Sequence, residues 1–122
     1  MRNHFREIVG FLVIALALFG FVKAFAADTT VDPGKKIFEG KCAQCHGKDA
    51  KGVAKMAKVL KVDPVNIDLT RPEAVTMTSD DLEAIVTNGK NKMGKYKGKL
   101  TADQIKEVVA YLKTLQDASQ SK

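Results

Sequence analysis

A chain of 122 residues with 45% hydrophobic residues, two cysteines and a formal charge of +6 has room for one domain and no disulfide scaffold. The basic surplus is carried mostly by lysine, which excludes the dense arginine stripe of a nucleic-acid-binding surface. Without its N-terminal export signal the chain keeps roughly 95 residues, a length that buries only about 60–65% of its unfolded surface and leaves a modest core.

Residues 1–26 have the form of a secretory signal peptide. Arg2 and Arg6 give a positive start, Ile8–Val22 is an uncharged apolar run of 15 residues, and Ala24-Phe25-Ala26 is an A-x-A cleavage signal. The run falls short of the roughly 20 residues of a membrane span, so cleavage before Ala27 is expected. Left uncleaved, Ala24–Ala27 would extend the apolar stretch past Lys23 and make an anchor. Either way residues 27–122 form a domain outside the cytoplasm, in the periplasm or an equivalent space. Asp32 is an N-cap followed by Pro33 at the first helical position, predicting a helix from Pro33 to about Lys41. Gly34 and Phe38, four apart, share one face of it.

That helix delivers Cys42-Ala43-Gln44-Cys45-His46, the C-x-x-C-H pattern by which a c-type haem is attached. Two thiols three residues apart on a tight turn reach the two vinyl-derived carbons of a porphyrin and form thioethers. His46 then lies beneath the iron as proximal ligand. C-x-x-C alone also suits a redox dithiol or half of a zinc site. A four-ligand Cys/His zinc site needs two more such residues, and beyond residue 26 there is no other cysteine and no other histidine. A thioredoxin-like dithiol needs alternating strands and helices, and the flanking sequence has almost no strand pattern. One covalently held haem per chain is the expectation, and the porphyrin would enlarge the core, coupling folding to attachment.

Gly47–Gly52 is a polar, glycine-bounded loop, and Val53–Leu60 suits a short helix with Val53, Met56, Ala57 and Leu60 on one side. Asp63-Pro64 marks a turn. Val65, Ile67 and Leu69 alternate but Arg71-Pro72 follows at once, so an extended segment over the haem edge is expected. Thr78-x-x-Asp81 and Thr101-x-x-Gln104 are capping boxes that each open a helix. The first carries Leu82, Ile85 and Val86 and ends at Gly89. The second carries Ile105, Val108, Val109 and Leu112 at i, i+3, i+4 and i+7 and is expected to run to about Leu115, with a polar, fraying tail over 116–122. Lys90–Lys99 is a loop of five lysines around Met93 and Tyr96.

With His46 the sole histidine of the domain, bis-histidine ligation within the chain is excluded. The sixth ligand is then a methionine, a lysine or absent. Met56 is close to His46 in sequence and its helix phase suits packing, and Met77 sits just before a capping box as a staple or core residue. Met93 lies in a loop with ample chain to cross from one haem face to the other, among lysines that pull the segment toward water, and is the expected distal ligand. A thioether donor favours ferrous iron and raises the reduction potential.

Three stretches make the chain resemble the small class I, mono-haem bacterial c-type cytochromes. Gly34-x-x-x-Phe38 with Cys42-Ala43-Gln44-Cys45-His46-Gly47 is similar to that family's first helix and haem motif. Met93-Gly94-Lys95-Tyr96 with Gly98-Lys99-Leu100-Thr101 is similar to its methionine-ligand loop, and Val108-Val109-Ala110-Tyr111-Leu112 to its C-terminal helix. The resemblance spans about residues 32–115. It implies an all-α, cytochrome c-like fold of three to five helices around one covalently attached haem, with first and last helices crossing at Gly34, Phe38 and Tyr111. The sequence departs from the family at Gly94, where proline often follows the ligand methionine. The family's proline carbonyl behind the proximal imidazole has Pro64 as its nearest candidate.

Lys90, Lys92, Lys95, Lys97 and Lys99 surround Met93, and Lys41, Lys48, Lys51, Lys55, Lys58 and Lys61 surround the haem motif. Such a charge run keeps a small protein soluble, and it also suits a ring that steers acidic redox partners to an exposed haem edge. The expected function is an exported, monomeric one-electron carrier between redox proteins, with no catalytic residues, no small-molecule substrate and no nucleic acid. The alternatives are a haem protein with an open sixth site for small ligands or peroxide, a haem-free dithiol protein, and a membrane-tethered electron-transfer subunit of a larger complex.

Overall fold

The computed structural model describes residues Asp32–Lys122, and the expected signal at 1–26 lies outside them. The Asp32 carboxylate accepts from Gly34 N–H at 2.9 Å and Lys35 N–H at 3.4 Å, starting helix α1, Pro33–Ile37. The chain does not leave the helix at Lys41 as expected. It passes through a π-helical turn, Phe38–Cys42, directly into α2, Ala43–His46. In that turn the Ala43 N–H reaches back five residues to Phe38 O. A π turn inserts one residue and rotates the next turn of helix about the axis. Phe38 is buried in the core, and Cys42 and Ala43 pack against the same cluster.

Helix α3, Ala54–Leu60, follows the Gly47–Gly52 loop. The alternating stretch at 65–69 is not extended throughout. Asp63 caps and Pro64 opens a 3₁₀ turn, Pro64–Ile67, with the Val65 N–H donating to the Asp63 carboxylate at 3.0 Å. An Asp-Pro pair supplies both the cap and the fixed φ that a helical start needs, and this outweighs the period-two pattern. Ile67 is buried and Val65 is 48% exposed. Arg71-Pro72 likewise does not merely break the chain. Pro72 is the first residue of a short helix, α4, Pro72–Val75, the position proline favours.

The two capping boxes open helices as predicted. Helix α5, Ser79–Asn88, has Thr78 Oγ1 accepting from Asp81 N–H at 3.2 Å and Asp81 accepting from Thr78 N–H at 3.2 Å. The Thr78 hydroxyl, donating to the same carboxylate at 2.7 Å, and then the Thr78 N–H hold the Asp81 carboxyl below its ordinary range. Helix α6, Ala102–Gln120, starts with the same reciprocal pair from Thr101 and Gln104. Among the described residues there is no sheet, only two isolated bridges, Lys90 with Met93 and Lys97 with Leu100. The fold is all-α.

The core is Phe38, Ala50, Leu82, Val108, Val109 and Leu112, so α6 is the element against which α1 and α5 are packed. Phe38 and Tyr111 meet edge to face at 5.7 Å between ring centroids, an arrangement aromatic pairs prefer. A Cβ on Gly34 would fall against the backbone oxygen of Glu107, with Glu107 C at 2.7 Å and Tyr111 Cβ at 3.0 Å. The helices cross with backbone touching backbone, and glycine is the residue that permits it.

Helix α6 continues past Leu115 to Gln120, and the tail does not fray where expected. Gln116 is 1% exposed, and its Nε2 donates to Leu69 O at 2.8 Å and Ala74 O at 3.2 Å. Gln120 Nε2 adds a bond to Thr70 O at 3.3 Å. These polar residues read as tail in sequence because their partners are more than forty positions away. Gln116→Leu keeps the volume but strips the donors from two carbonyls. We expect it to cost about 1–3 kcal/mol, the range for a buried polar group left unpaired. Guanidinium unfolding of the haem-loaded protein would read this as a lowered midpoint at unchanged slope.

Candidate cofactor cavity

The described chain wraps a cavity of about 330 Å³, within the range of small-molecule and cofactor sites. Its apolar wall includes Leu60, Ile67, Leu69, Leu82 and Ile85. Cys42, Cys45, His46 and Met93 all border it, although the loop bearing Met93 is separated from the contiguous π turn and α2 by the whole middle of the chain.

The imidazole of His46 is fixed from behind. Its Nδ1 lies 2.9 Å from Ile67 O. A carbonyl oxygen only accepts, so Nδ1 carries the proton and the Nε2 lone pair is left for a metal. Burial pushes the His46 pKa below the usual range, outweighing the Ile67 bond, which acts the other way. The neutral, ligand-competent form is thereby favoured. The carbonyl behind the imidazole belongs to Ile67, not to Pro64. Pro64 opens the 3₁₀ turn whose last residue is Ile67, so the sequence pointed to the right turn and the wrong residue.

Cys42 and Cys45 are half-buried and not bridged to each other. Burial, reinforced by the Cys45 charge and opposed by Lys41, pushes the Cys42 thiol up to about 11. A redox dithiol needs the opposite, a thiolate stabilised near neutral pH. Among the described residues no group of three or more His, Cys, Asp or Glu side chains is placed to hold a metal ion, so the cysteines are not part of a zinc-type cluster there.

The loop bearing Met93 is built by short-range bonds. Gly89 ends α5 with φ +78°, and a Cβ there would approach Met93 O at 2.7 Å. Lys90 and Met93 exchange backbone bonds, Lys90 N–H to Met93 O at 3.0 Å and Met93 N–H to Lys90 O at 2.9 Å. Tyr96 then pins the loop to the motif, its hydroxyl donating to Lys41 O at 3.0 Å. Burial raises the Tyr96 phenol above its ordinary value, so it stays a donor. Gly94 has no positive φ, and a Cβ added there would meet no atom within 4 Å, so its geometry does not require glycine.

Of the other methionines, Met56 does not border the cavity and Met77 does. Met77 also packs against the core, and its backbone oxygen accepts from Lys113 Nζ, which makes it part of the wall. Of the lysines singled out from sequence, Lys41, Lys90, Lys92, Lys95 and Lys99 edge the cavity with exposed side chains. Lys97 and the lysines of residues 48–61 do not reach it. Sequence reasoning also passed over Arg71, which borders the cavity. It is the sole arginine beyond residue 26, and that was the available clue.

The donor set fits a covalently attached iron porphyrin: two thiols, an imidazole with its free nitrogen defined, a thioether, apolar walls, and a buried Arg71 Nε without a hydrogen-bond partner. Comparison with known proteins agrees. Residues 29–112 match a family described as "Cytochrome C oxidase, cbb3-type, subunit III". The chain is similar to cytochrome c6 of Nostoc sp., with 34% identity over 116 residues that cover 93% of this chain and 96% of that one. Cytochrome c6 of Gloeothece citriformis is 37% identical over 113 residues, covering 88% and 92%. Cytochrome c6 of Porphyra purpurea is 34% identical over 104 residues, covering 84% and 86%.

Proposed function

Since the chain belongs to the family of small mono-haem c-type cytochromes, we propose that it is an exported carrier in which Cys42 and Cys45 hold the haem, His46 and Met93 ligate the iron, and lysines at the cavity mouth guide docking. Its cofactor is one covalently bound haem c, and it is an electron carrier between redox proteins, not an enzyme. The observation that carries the finer reading is that these four residues border a single apolar-walled cavity, with the His46 tautomer already set by Ile67 O.

The bound iron porphyrin supplies a one-electron ferric/ferrous couple. The two thiols anchor it, and the His46 ring is held in one orientation by its bond to Ile67 O. The Met93 thioether would serve as the second axial donor and favour the ferrous side. Leu69, Leu82 and Ile85 give the cavity an apolar wall, which would disfavour the extra charge of the ferric form. Segment 1–26 directs export, and the domain works as a monomer. Among the described residues no helix is long and apolar enough to cross a membrane.

The lysine rim is tested with small oxidants of opposite charge acting on the haem-loaded ferrous protein. Oxidation by anionic ferricyanide should slow steeply as salt is raised, within the roughly 10–10³-fold range of electrostatic steering. Oxidation by a cationic cobalt complex should accelerate. Reversing Lys90, Lys92 and Lys95 to glutamate should invert both trends. Equal salt dependence for the two oxidants would remove the steering role.

A further inference from the structure

We infer that Lys113 is a positioning residue for the haem: its ammonium, reaching from α6, holds Met77 in place in the cavity wall. This rests on the haem reading of the cavity. Lys113 is the only lysine among the described residues that is not exposed. An ammonium taken out of water needs partners, and this one has two. Its Nζ donates to Val75 O at 3.2 Å and to Met77 O at 2.5 Å. Val75 is the last residue of α4, so its carbonyl has no partner within that helix. Met77 directly precedes Thr78, the N-cap of α5. One side chain therefore joins the end of α4 to the start of α5 at the residue whose side chain borders the cavity.

The neighbours of Lys113 on α6 do the same for the rest of the segment. Gln116 and Gln120, three and seven residues on, share its face of the helix. Their amides donate to Leu69 O, Ala74 O and Thr70 O. Leu69 and Met77, at the two ends of this segment, both border the cavity, whereas none of the described residues of α6 does. The stripe thus acts on the cofactor only through the wall it holds. Of its three members, only Lys113 reaches Met77 and only Lys113 carries a charge. A hydrogen bond from a charged donor is stronger than one from an amide. The same cation, fixed on a carbonyl of the wall, disfavours the extra positive charge of the ferric form.

The test uses haem-loaded, reduced protein labelled with ¹³C-methyl methionine. The Met77 methyl signal, assigned by its absence in Met77→Leu, should carry a ring-current shift from the porphyrin. Lys113→Ala, which suits a helix, should move that signal toward its unshifted position and lower the midpoint potential. Lys113→Arg, which keeps charge and reach, should restore both most of the way. Lys113→Gln keeps a polar side chain without the charge or the reach. It should move both readouts as alanine does, and it carries the test if the alanine variant fails to fold. A Met77 methyl that keeps its shift in the variants, with only the melting temperature lowered, would overturn the proposal and leave Lys113 a structural residue. A wild-type Met77 methyl without a ring-current shift, beside a normal haem spectrum, would overturn it while the cofactor reading stood. A colourless chain from a host that attaches c-type haem would remove the cofactor reading and this proposal with it.

Discussion

Replacing Met93 by alanine should lower the reduction potential and open the iron to carbon monoxide. Axial ligation commands a span of roughly 0.8 V among haem proteins, and the thioether is the donor that favours the ferrous side. Removing it takes away that preference and leaves a wall position in a cavity otherwise lined largely by carbon. Met93 exchanges two backbone bonds with Lys90, and the Tyr96 hydroxyl fixes the same loop to Lys41 O. The loop should therefore keep its path in the variant, and the change should be confined to the iron. Redox potentiometry and carbon monoxide titration of the ferrous protein measure both effects. Met77→Ala is the comparison, because Met77 borders the same cavity. It should loosen the wall without opening the sixth position.

Gly34→Ala should be the most damaging single methyl group in the described chain. In an ordinary helix the change would stabilise by up to about 1 kcal/mol, since alanine is the better helix former. Here the new Cβ meets the backbone oxygen and carbon of Glu107 and lies 3.0 Å from Tyr111 Cβ. Backbone atoms have no rotamer to move into, so α1 must shift away from α6. That shift separates Phe38 from Tyr111 and opens the centre of the core. Overpacking of this kind costs typically about 1–3 kcal/mol and can cost more. For a domain of this size each kcal/mol moves the thermal midpoint by roughly 4–8 °C. Gly40→Ala is the internal control, because nothing lies within 4 Å of its Cβ position. Equal melting of the two variants would mean that α1 and α6 do not touch through backbone.

Both predictions draw on features that differ in how openly the sequence displays them. The haem motif, the two capping boxes and the α6 period were legible because each is a relation among residues a few positions apart. Asp32, Thr78 and Thr101 act on N–H groups two or three residues away. The Gly34, Phe38 and Tyr111 crossing was legible through family resemblance, and the backbone contact at Glu107 gives its physical reason.

The features that escaped sequence reading depend on distant partners. Gln116 and Gln120 are polar and looked like a frayed end, yet they bond carbonyls of the 69–74 segment. Ile67 has a side chain that says nothing of its carbonyl, and that carbonyl is what orients His46. The π turn at Phe38–Cys42 leaves no mark in a pattern read at 3.6 residues per turn. Arg71 was visible as the odd residue out among lysines, but its isolated buried nitrogen only appears in three dimensions.

The most direct test of the carrier reading is the optical spectrum of the native purified protein, oxidised and then reduced. Ligation by His46 and Met93 predicts a low-spin spectrum with a weak far-red ferric absorption from the sulfur–iron bond, absent in Met93→Ala. It also predicts a ferrous form that resists carbon monoxide at neutral pH. A high-spin wild-type spectrum unchanged by Met93→Ala, with ready carbon monoxide binding, would contradict it and make small-ligand chemistry at an open sixth site the function to test.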